Sequence, residues 1–118
     1  MKLAILIVTY NSEKTIEHVL TRLQAEGVNH SVFVIDNGSS DTTIEILARF
    51  TEITVIESQI NLGFCKANNL ILNRAYQLSF SHFLFLNPDA EPFPGALETF
   101  IVTRRHPLAL DKLDACLQ

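Results

Sequence analysis

The segment Phe83-Leu84-Phe85-Leu86-Asn87-Pro88-Asp89 places four apolar residues directly before a polar turn. An unbroken apolar run is typical of a strand covered on both faces, as strands are inside parallel sheets. Pro88 lacks a backbone N–H, so we expect the strand to end near Asn87 and Asp89 to lie just beyond its carboxyl end. A carboxylate at that position can bind a hard cation, which in turn binds a diphosphate, or it can simply close a turn.

Three other short apolar runs, at residues 3–8, 32–35 and 53–56, precede this segment and also predict strands, the third at a sheet edge. Helical patterns separate the strands, and a fourth follows the last one. The alternation predicts an α/β fold with a doubly wound, mostly parallel sheet in the strand order 3-2-1-4. The predicted buried helix faces are Ile16, Val19, Leu20 and Leu23; Ile44, Leu47 and Ala48; Ala67, Leu70, Ile71, Ala75 and Leu78; and Ala96, Leu97, Phe100 and Ile101.

Local signals predict where the helices begin and end. Asn11 or Ser12 is suited to cap the first helix, and Gly27 to end it. Ser40 or Asp41 is suited to cap the second helix. Pro107 is expected to end the fourth helix.

The composition limits the classes of function. With 118 residues, 47% of them hydrophobic and 19% charged, the chain is long enough for one globular domain. The net charge of −4 and the lack of a basic run argue against nucleic acid as a partner. An acidic chain that binds an anionic ligand needs a metal ion or local cationic side chains. The two cysteines are not in C-x-x-C spacing and give no indication of zinc.

Polar side chains follow three of the predicted strands. In the order 3-2-1-4, the first and fourth strands are neighbours and the second lies beside the first, so these residues are expected to face one crevice. They are Thr9, Tyr10 and Asn11 after the first strand, Asp36 after the second, and Asn87 and Asp89 after the fourth.

A nucleotide accounts for these residue types. A base can stack on Tyr10, and Asp36 can accept a hydrogen bond from the ring N–H of uracil or thymine. Asn37 and Gly38 supply a loop that a ligand can approach closely. Neither G-x-G-x-x-G nor G-K-[ST] occurs, which disfavours a dinucleotide or P-loop site.

Four motifs in this order resemble family 2 glycosyltransferases, and especially the rhamnosyltransferase-like bacterial members. The resemblance covers residues 3 to about 105. The motifs are Val8-Thr9-Tyr10-Asn11, Val34-Ile35-Asp36-Asn37-Gly38-Ser39-Ser40-Asp41, Asn61-Leu62-Gly63-Phe64 with Asn68-Asn69, and Phe85-Leu86-Asn87-Pro88-Asp89.

The resemblance implies a GT-A fold that binds a nucleotide-diphosphate sugar with Mg²⁺ or Mn²⁺. By position, Thr9 and Asp36 correspond to base contacts and Asp89 to the metal-binding carboxylate of the family's Asp-x-Asp motif. Asn87 replaces the first Asp of that motif, where it can contact ribose or act as a neutral ligand. The loop at Gly63 is expected near the diphosphate. Lys66 can offset the diphosphate charge or be a solvated lysine of the first helical turn.

The resemblance also implies an inverting sugar transfer that needs a general base, which the family carries in a later part of its domain. No residue is assigned as that base. We expect residues 1–107 to form the donor-binding half and 108–118 an atypical tail, so that the chain is truncated as an enzyme. The alternative is a non-catalytic nucleotide-binding remnant, or a module that works only with a partner.

The expected partners are a UDP- or dTDP-sugar and a glycan or lipid-linked acceptor of surface polysaccharide synthesis. Residues 3–8 are too few for a signal peptide or membrane span, so a cytoplasmic location is expected, with peripheral binding at the inner membrane face as a variant. The uncharged fourth strand at the sheet edge also predicts self-association.

Overall fold

The computed structural model describes residues 2–103, of which residues 101–103 are described in their backbone only. The predictions for Pro107 and the tail at 108–118 lie outside these residues. Strands and helices alternate along the whole described chain. They are β1 (Leu3–Thr9), α1 (Ile16–Gln24), β2 (His30–Asp36), α2 (Thr43–Leu47), β3 (Thr54–Glu57), α3 (Phe64–Gln77), β4 (His82–Leu86) and α4 (Ala96–Thr103).

The four strands form one parallel sheet in the order β3-β2-β1-β4, as the sequence predicted. Thr9 at the end of β1 is in register with Asp36 at the end of β2. Ile7 is in register with Leu86 at the end of β4. The carboxyl ends of three strands therefore lie side by side, and the loops that follow them share one edge of the sheet.

Two hydrophobic layers cover the sheet, one on each face. The layer with α1, α2 and α4 contains Leu3, Ile5, Ile7, Ile16, Val19, Leu20, Leu23, Val32, Val34, Ile46, Leu47 and Leu97. The layer with α3 contains Ala4, Leu6, Phe33, Ile35, Ala67, Ile71 and Ala75. β1 supplies side chains to both layers because alternate residues of a strand point to opposite faces.

The buried face of α1 is confirmed, but its bounds differ from the prediction. Ile16, the first helical residue, follows a tight turn in which the carbonyl of Ser12 accepts hydrogen bonds from the N–H groups of Thr15 and Ile16. The helix ends at Gln24 with Ala25 as its cap, so Gly27 does not end it. Composition alone could not distinguish the turn from a first helical turn.

The predicted faces of α2 and α3 are partly wrong. Leu70 on α3 and Leu78 directly after the helix are about half exposed, whereas Asn68 is buried. On α2, Ile46 and Thr43 are buried with Leu47, whereas Ala48 is exposed. A helix five residues long leaves the periodic pattern too short to fix its rotation.

The fourth strand lies at the edge of the sheet, and all five of its residues are partly exposed. The expectation of a strand covered on both faces is therefore wrong for the described residues, whereas the predicted edge position is confirmed. Helix α3 packs on β1 and β2 and leaves the Phe83 and Phe85 side partly open. Within residues 2–103, no helix is both long and apolar enough to cross a membrane.

Candidate functional site

The ends of β1 and β2 hold a buried carboxylate in a fixed position. The Thr9 hydroxyl donates to Oδ1 of Asp36 at 2.7 Å. The Ser39 hydroxyl donates to the same oxygen at 2.6 Å, and the Ser39 backbone N–H donates to Oδ2 at 2.9 Å. Asp36 is 2% exposed. Since each carboxylate oxygen can accept two hydrogen bonds, Oδ2 retains capacity for one more donor.

Asn37 is buried and ties the β2 end to the loop before α3. Its backbone N–H donates to the Thr9 carbonyl at 2.8 Å. Its side-chain oxygen accepts from the Leu62 N–H at 2.8 Å, and its amide nitrogen donates to the Gly63 carbonyl at 3.3 Å. This geometry makes Asn37 a residue that positions the 58–63 loop, while its predicted contact with a nucleotide stays a prediction.

Gly38 allows the same loop to pass close to the β2 end. Its φ of 82° lies in the left-handed region, and a Cβ there would be 3.1 Å from backbone atoms of Gln59 and Ile60. Both constraints favour glycine at this position.

The loop after β1 is joined to the loop after β2 through Asn11. The Asn11 N–H donates to Oγ of Ser39 at 2.8 Å, and Oδ1 of Asn11 accepts from the Ser40 N–H at 2.8 Å. Asn11 has a φ of 48°, a conformation that asparagine tolerates better than most residues. Tyr10 beside it is 51% exposed, so its ring is accessible to a ligand.

A second set of hydrogen bonds joins the start of α1 to the start of α2. Oε2 of Glu13 accepts from the Thr42 hydroxyl at 2.7 Å and from its N–H at 3.0 Å, and these bonds lower the pKa of Glu13. Oδ1 of Asp41 accepts from the N–H and hydroxyl of Thr43, and Oδ2 accepts from the Glu13 N–H. The two loops are thereby held as one unit.

A cleft of about 660 Å³ lies between this unit and the turn after β4. Asn87, Pro88 and Asp89 form the β4 side, and Asn87 and Asp89 are exposed. The opposite side comes from the loops after β1 and β2. Its lining there consists of Asn11, Ser12, Glu13, Lys14, Thr15, Ser40 and Asp41.

The structure thus brings Asn11, Asn87 and Asp89 together in the cleft. The other predicted site residues do not line it, and Lys66 among them is exposed near the start of α3. They are Thr9, Tyr10, Asp36, Asn37, Gly38, Gly63 and Lys66. Sequence reasoning missed Lys14 as a lining residue. Its position three residues after Asn11, in the loop that follows β1, is the signal that could have identified it.

The cleft supplies part of the ligand set that a hard cation requires. Among the described residues, no group of three or more His, Cys, Asp and Glu side chains converges. Mg²⁺ and similar ions are usually held by one or two carboxylates together with water and substrate phosphates. Asp89, an exposed carboxylate on the cleft, fits that incomplete set.

A parallel sheet with polar loops gathered beyond its strand ends is the arrangement of a doubly wound ligand-binding domain. Residues 4–103 match the family model described as glycosyl transferase family 2, and the chain belongs to that family. No curated protein matches the chain at a significant level.

Solved structures share the fold of this chain. S. aureus TarS 1–349 is 26% identical with a TM-score of 0.74 over 86% of this chain, both alone and in complex with UDP-GlcNAc. The Pyrobaculum calidifontis mannosyltransferase PcManGT, in complex with GDP-Man and Mn²⁺, is 21% identical with a TM-score of 0.72 over 89% of the chain. The match spans only 32% of the TarS 1–349 chain and 32% of the PcManGT chain.

Proposed function

We propose that this chain is the donor-binding part of a glycosyltransferase that transfers a sugar from a UDP- or dTDP-sugar. The observation that carries the proposal is the buried Asp36 carboxylate at the end of β2, fixed by Thr9 and Ser39 with one acceptor position unused. Membership of the family, and the likeness to a structure solved with UDP-GlcNAc, support the same reading.

In this proposal, Asp36 accepts a hydrogen bond from the ring N–H of uracil or thymine, and Tyr10 packs against the base. Thr9 and Ser39 fix the carboxylate so that it does not need to reorganise when the ligand binds. Adenine lacks a ring N–H donor on its pairing edge, so an adenine nucleotide would leave a buried carboxylate without that partner. Asn37 contributes by holding the 58–63 loop beside the pocket, and Gly38 by allowing that loop to pass close to the end of β2.

The sugar diphosphate extends into the cleft, toward Asp89. Asp89 would hold Mg²⁺ or Mn²⁺, with Asn87 as a contact to ribose or as a neutral oxygen ligand. When bound, such an ion supplies the positive charge that stabilises a departing diphosphate. The cleft lining already carries Glu13, Asp41 and Asp89, so a cation is needed for a diphosphate to bind there.

The remaining partners are proposed on family grounds. They are a glycan or lipid-linked acceptor of surface polysaccharide synthesis, at a cytoplasmic location or at the inner membrane face. The donor sugar, rhamnose included, is fixed by contacts beyond the base pocket. A second candidate is a nucleotide-binding module without transferase activity, or one that works only with a partner.

Self-association through β4 is also proposed. Its outer edge has no partner strand within the described residues, and the strand carries no Asp, Glu, Lys or Arg. Free N–H and C=O groups on an apolar edge recruit other strands.

Calorimetric titration with UDP, dTDP and ADP tests the base pocket. We expect UDP and dTDP to bind at least about tenfold more tightly than ADP, because the site is built around one hydrogen-bond donor of the base. Asp36→Ala should remove that preference. Glu57→Ala is the matched control, since Glu57 is exposed and in register with Asp36 on the neighbouring strand. Equal affinity for ADP and UDP would contradict the proposal.

A further inference from the structure

Four charged side chains of the described part of the chain line the cleft, and two of them are held by hydrogen bonds. Glu13 accepts two bonds from Thr42, and the carboxylate of Asp41 accepts from Thr43 and from the Glu13 N–H. Within residues 2–103, neither the ammonium group of Lys14 nor the carboxylate of Asp89 has a hydrogen bond or an ion pair within 4 Å. These are the two charges of the cleft that remain available to a ligand.

The backbone on both sides of Lys14 is fixed although its side chain is exposed. The Glu13 N–H and side chain bind Asp41 and Thr42, and the Thr15 N–H donates to the Ser12 carbonyl at 3.1 Å. The Lys14 side chain therefore starts from a rigid loop on the cleft wall that faces the turn at Asp89. Its flexible stem lets the ammonium follow an anion inside the cleft.

We propose that Lys14 is a donor-binding residue whose ammonium group contacts the diphosphate of the nucleotide sugar. The inference rests on the proposed function and adds a binding residue from the loop after β1. Asp89, which would hold the cation, and Lys14 both line the cleft that would receive the diphosphate. Lys66, the lysine that the sequence suggested for this role, does not line the cleft.

The charge balance of the cleft supports this assignment. Among the described residues of the lining, Lys14 is the one cationic side chain beside three carboxylates. A diphosphate brought there without cationic help would be repelled by Glu13, Asp41 and Asp89. Lys14 and a single divalent ion together supply three positive charges to oppose them.

The test compares Lys14→Ala, Lys14→Arg and Lys66→Ala in titrations with UDP, inorganic pyrophosphate and uridine, each with Mn²⁺ and followed by NMR. Lys14→Ala should weaken the binding of UDP and of pyrophosphate about tenfold, which is the effect of losing one charge-assisted hydrogen bond. The affinity for uridine should not change. Lys14→Arg keeps the charge and should stay within about threefold of the wild type. Lys66→Ala should change nothing, because its side chain lies outside the cleft.

Several outcomes would overturn the role of Lys14. They are unchanged UDP affinity in Lys14→Ala, an equal loss for uridine, or an equal loss in Lys66→Ala. A wild type that binds neither UDP nor pyrophosphate overturns both this inference and the proposed function. A wild type that binds pyrophosphate through Lys14 but not UDP supports the anion contact and contradicts the proposed nucleotide specificity alone.

Discussion

Arg22 in the last turn of α1 and Glu26, two residues after the helix ends, hold the connection that follows Asp89, and the loss of either has a predictable cost. Nε and Nη2 of Arg22 donate to the Pro92 carbonyl at 3.1 and 2.9 Å. The carboxylate of Glu26 accepts from the N–H groups of Gly95 and Leu97 at 3.1 and 2.9 Å. Glu26, in the loop after α1, thus caps the N-terminus of α4, and together with Arg22 it ties the connection after Asp89 to the end of α1.

We predict that Glu26→Ala destabilises the fold by about 1 kcal/mol, the usual cost of removing a helix N-cap. The upper end of the range, about 2 kcal/mol, is not expected because Glu26 is only partly buried. For a domain of this size, 1 kcal/mol lowers Tm by about 4–8 °C. Glu26→Gln retains one side-chain oxygen and should lose about half as much.

The cost should depend on pH. Hydrogen bonds from the backbone of Leu97 and Gly95 lower the pKa of Glu26 below its ordinary value of 4.5. A carboxyl group whose pKa is lowered by folding stabilises the fold above that ordinary value, and the contribution is lost as the pH falls through the folded-state pKa. The difference in the free energy of unfolding between the wild type and Glu26→Gln should therefore be largest at pH 7 and become smaller in acid.

Urea unfolding followed by circular dichroism at pH 7 and at pH 3 measures both effects. Glu98→Gln is the control, because Glu98 is an exposed carboxylate in the first turn of α4 with no side-chain hydrogen bond in the described structure. A Glu26→Ala variant as stable as the wild type, or an equal loss in Glu98→Gln, would refute the reasoning.

Three other predictions follow from the packing. Gly38→Ala should lower the free energy of unfolding in urea by more than about 1 kcal/mol and weaken the binding of UDP. The reason is that the positive φ of Gly38 and the 3.1 Å approach of the 58–63 backbone exclude a Cβ. A variant as stable as the wild type would contradict this. Ile71 is buried, so Ile71→Ala should lower the free energy of unfolding by about 2–5 kcal/mol in the same assay. Leu70 is about half exposed, so Leu70→Ala should lower it by less than about 1 kcal/mol. Equal losses would mean that the buried face of α3 is assigned wrongly. Light scattering should show the wild type as an oligomer and Phe85→Lys shifted toward monomer, with Tyr76→Lys as control; a monomeric wild type rules out the β4 edge contact.

The strand order could be predicted from the sequence because each strand is a short apolar run between polar loops. Residues 3–8 and 32–35 are apolar and rich in β-branched side chains, and both lie inside the sheet. The handedness of parallel crossovers then leaves few arrangements. The partial alternation near residue 55 correctly placed β3 at an edge.

Helix rotation was less predictable than strand order. The stripe of α1 is buried as expected, but Leu70, which apolar spacing assigns to the buried face of α3, is about half exposed. Which residues of a helix are buried depends on where the helix crosses the sheet, and α3 crosses β1 and β2 rather than β4. Apolar spacing alone carries no information on that crossing.

The site was predicted at the level of strand ends and not of hydrogen bonds. Asp36 and Asp89 follow strands in the sequence, so their shared edge could be inferred from topology. The role of Asn37 in holding Leu62 and Gly63 depends on a contact across 25 residues, which no local pattern reveals. Lys14 was overlooked because the turn before α1 points a residue of helical appearance toward the cleft.

Calorimetric titration of UDP with and without Mn²⁺, on the wild type, Asp89→Ala and Glu91→Ala, tests the proposed donor site most directly. Glu91 is the matched control, an exposed carboxylate two residues from Asp89 that does not line the cleft. We predict that Mn²⁺ raises UDP affinity about tenfold or more in the wild type and in Glu91→Ala, and has no effect in Asp89→Ala. UDP binding that is independent of Mn²⁺ and unchanged in Asp89→Ala would contradict the account.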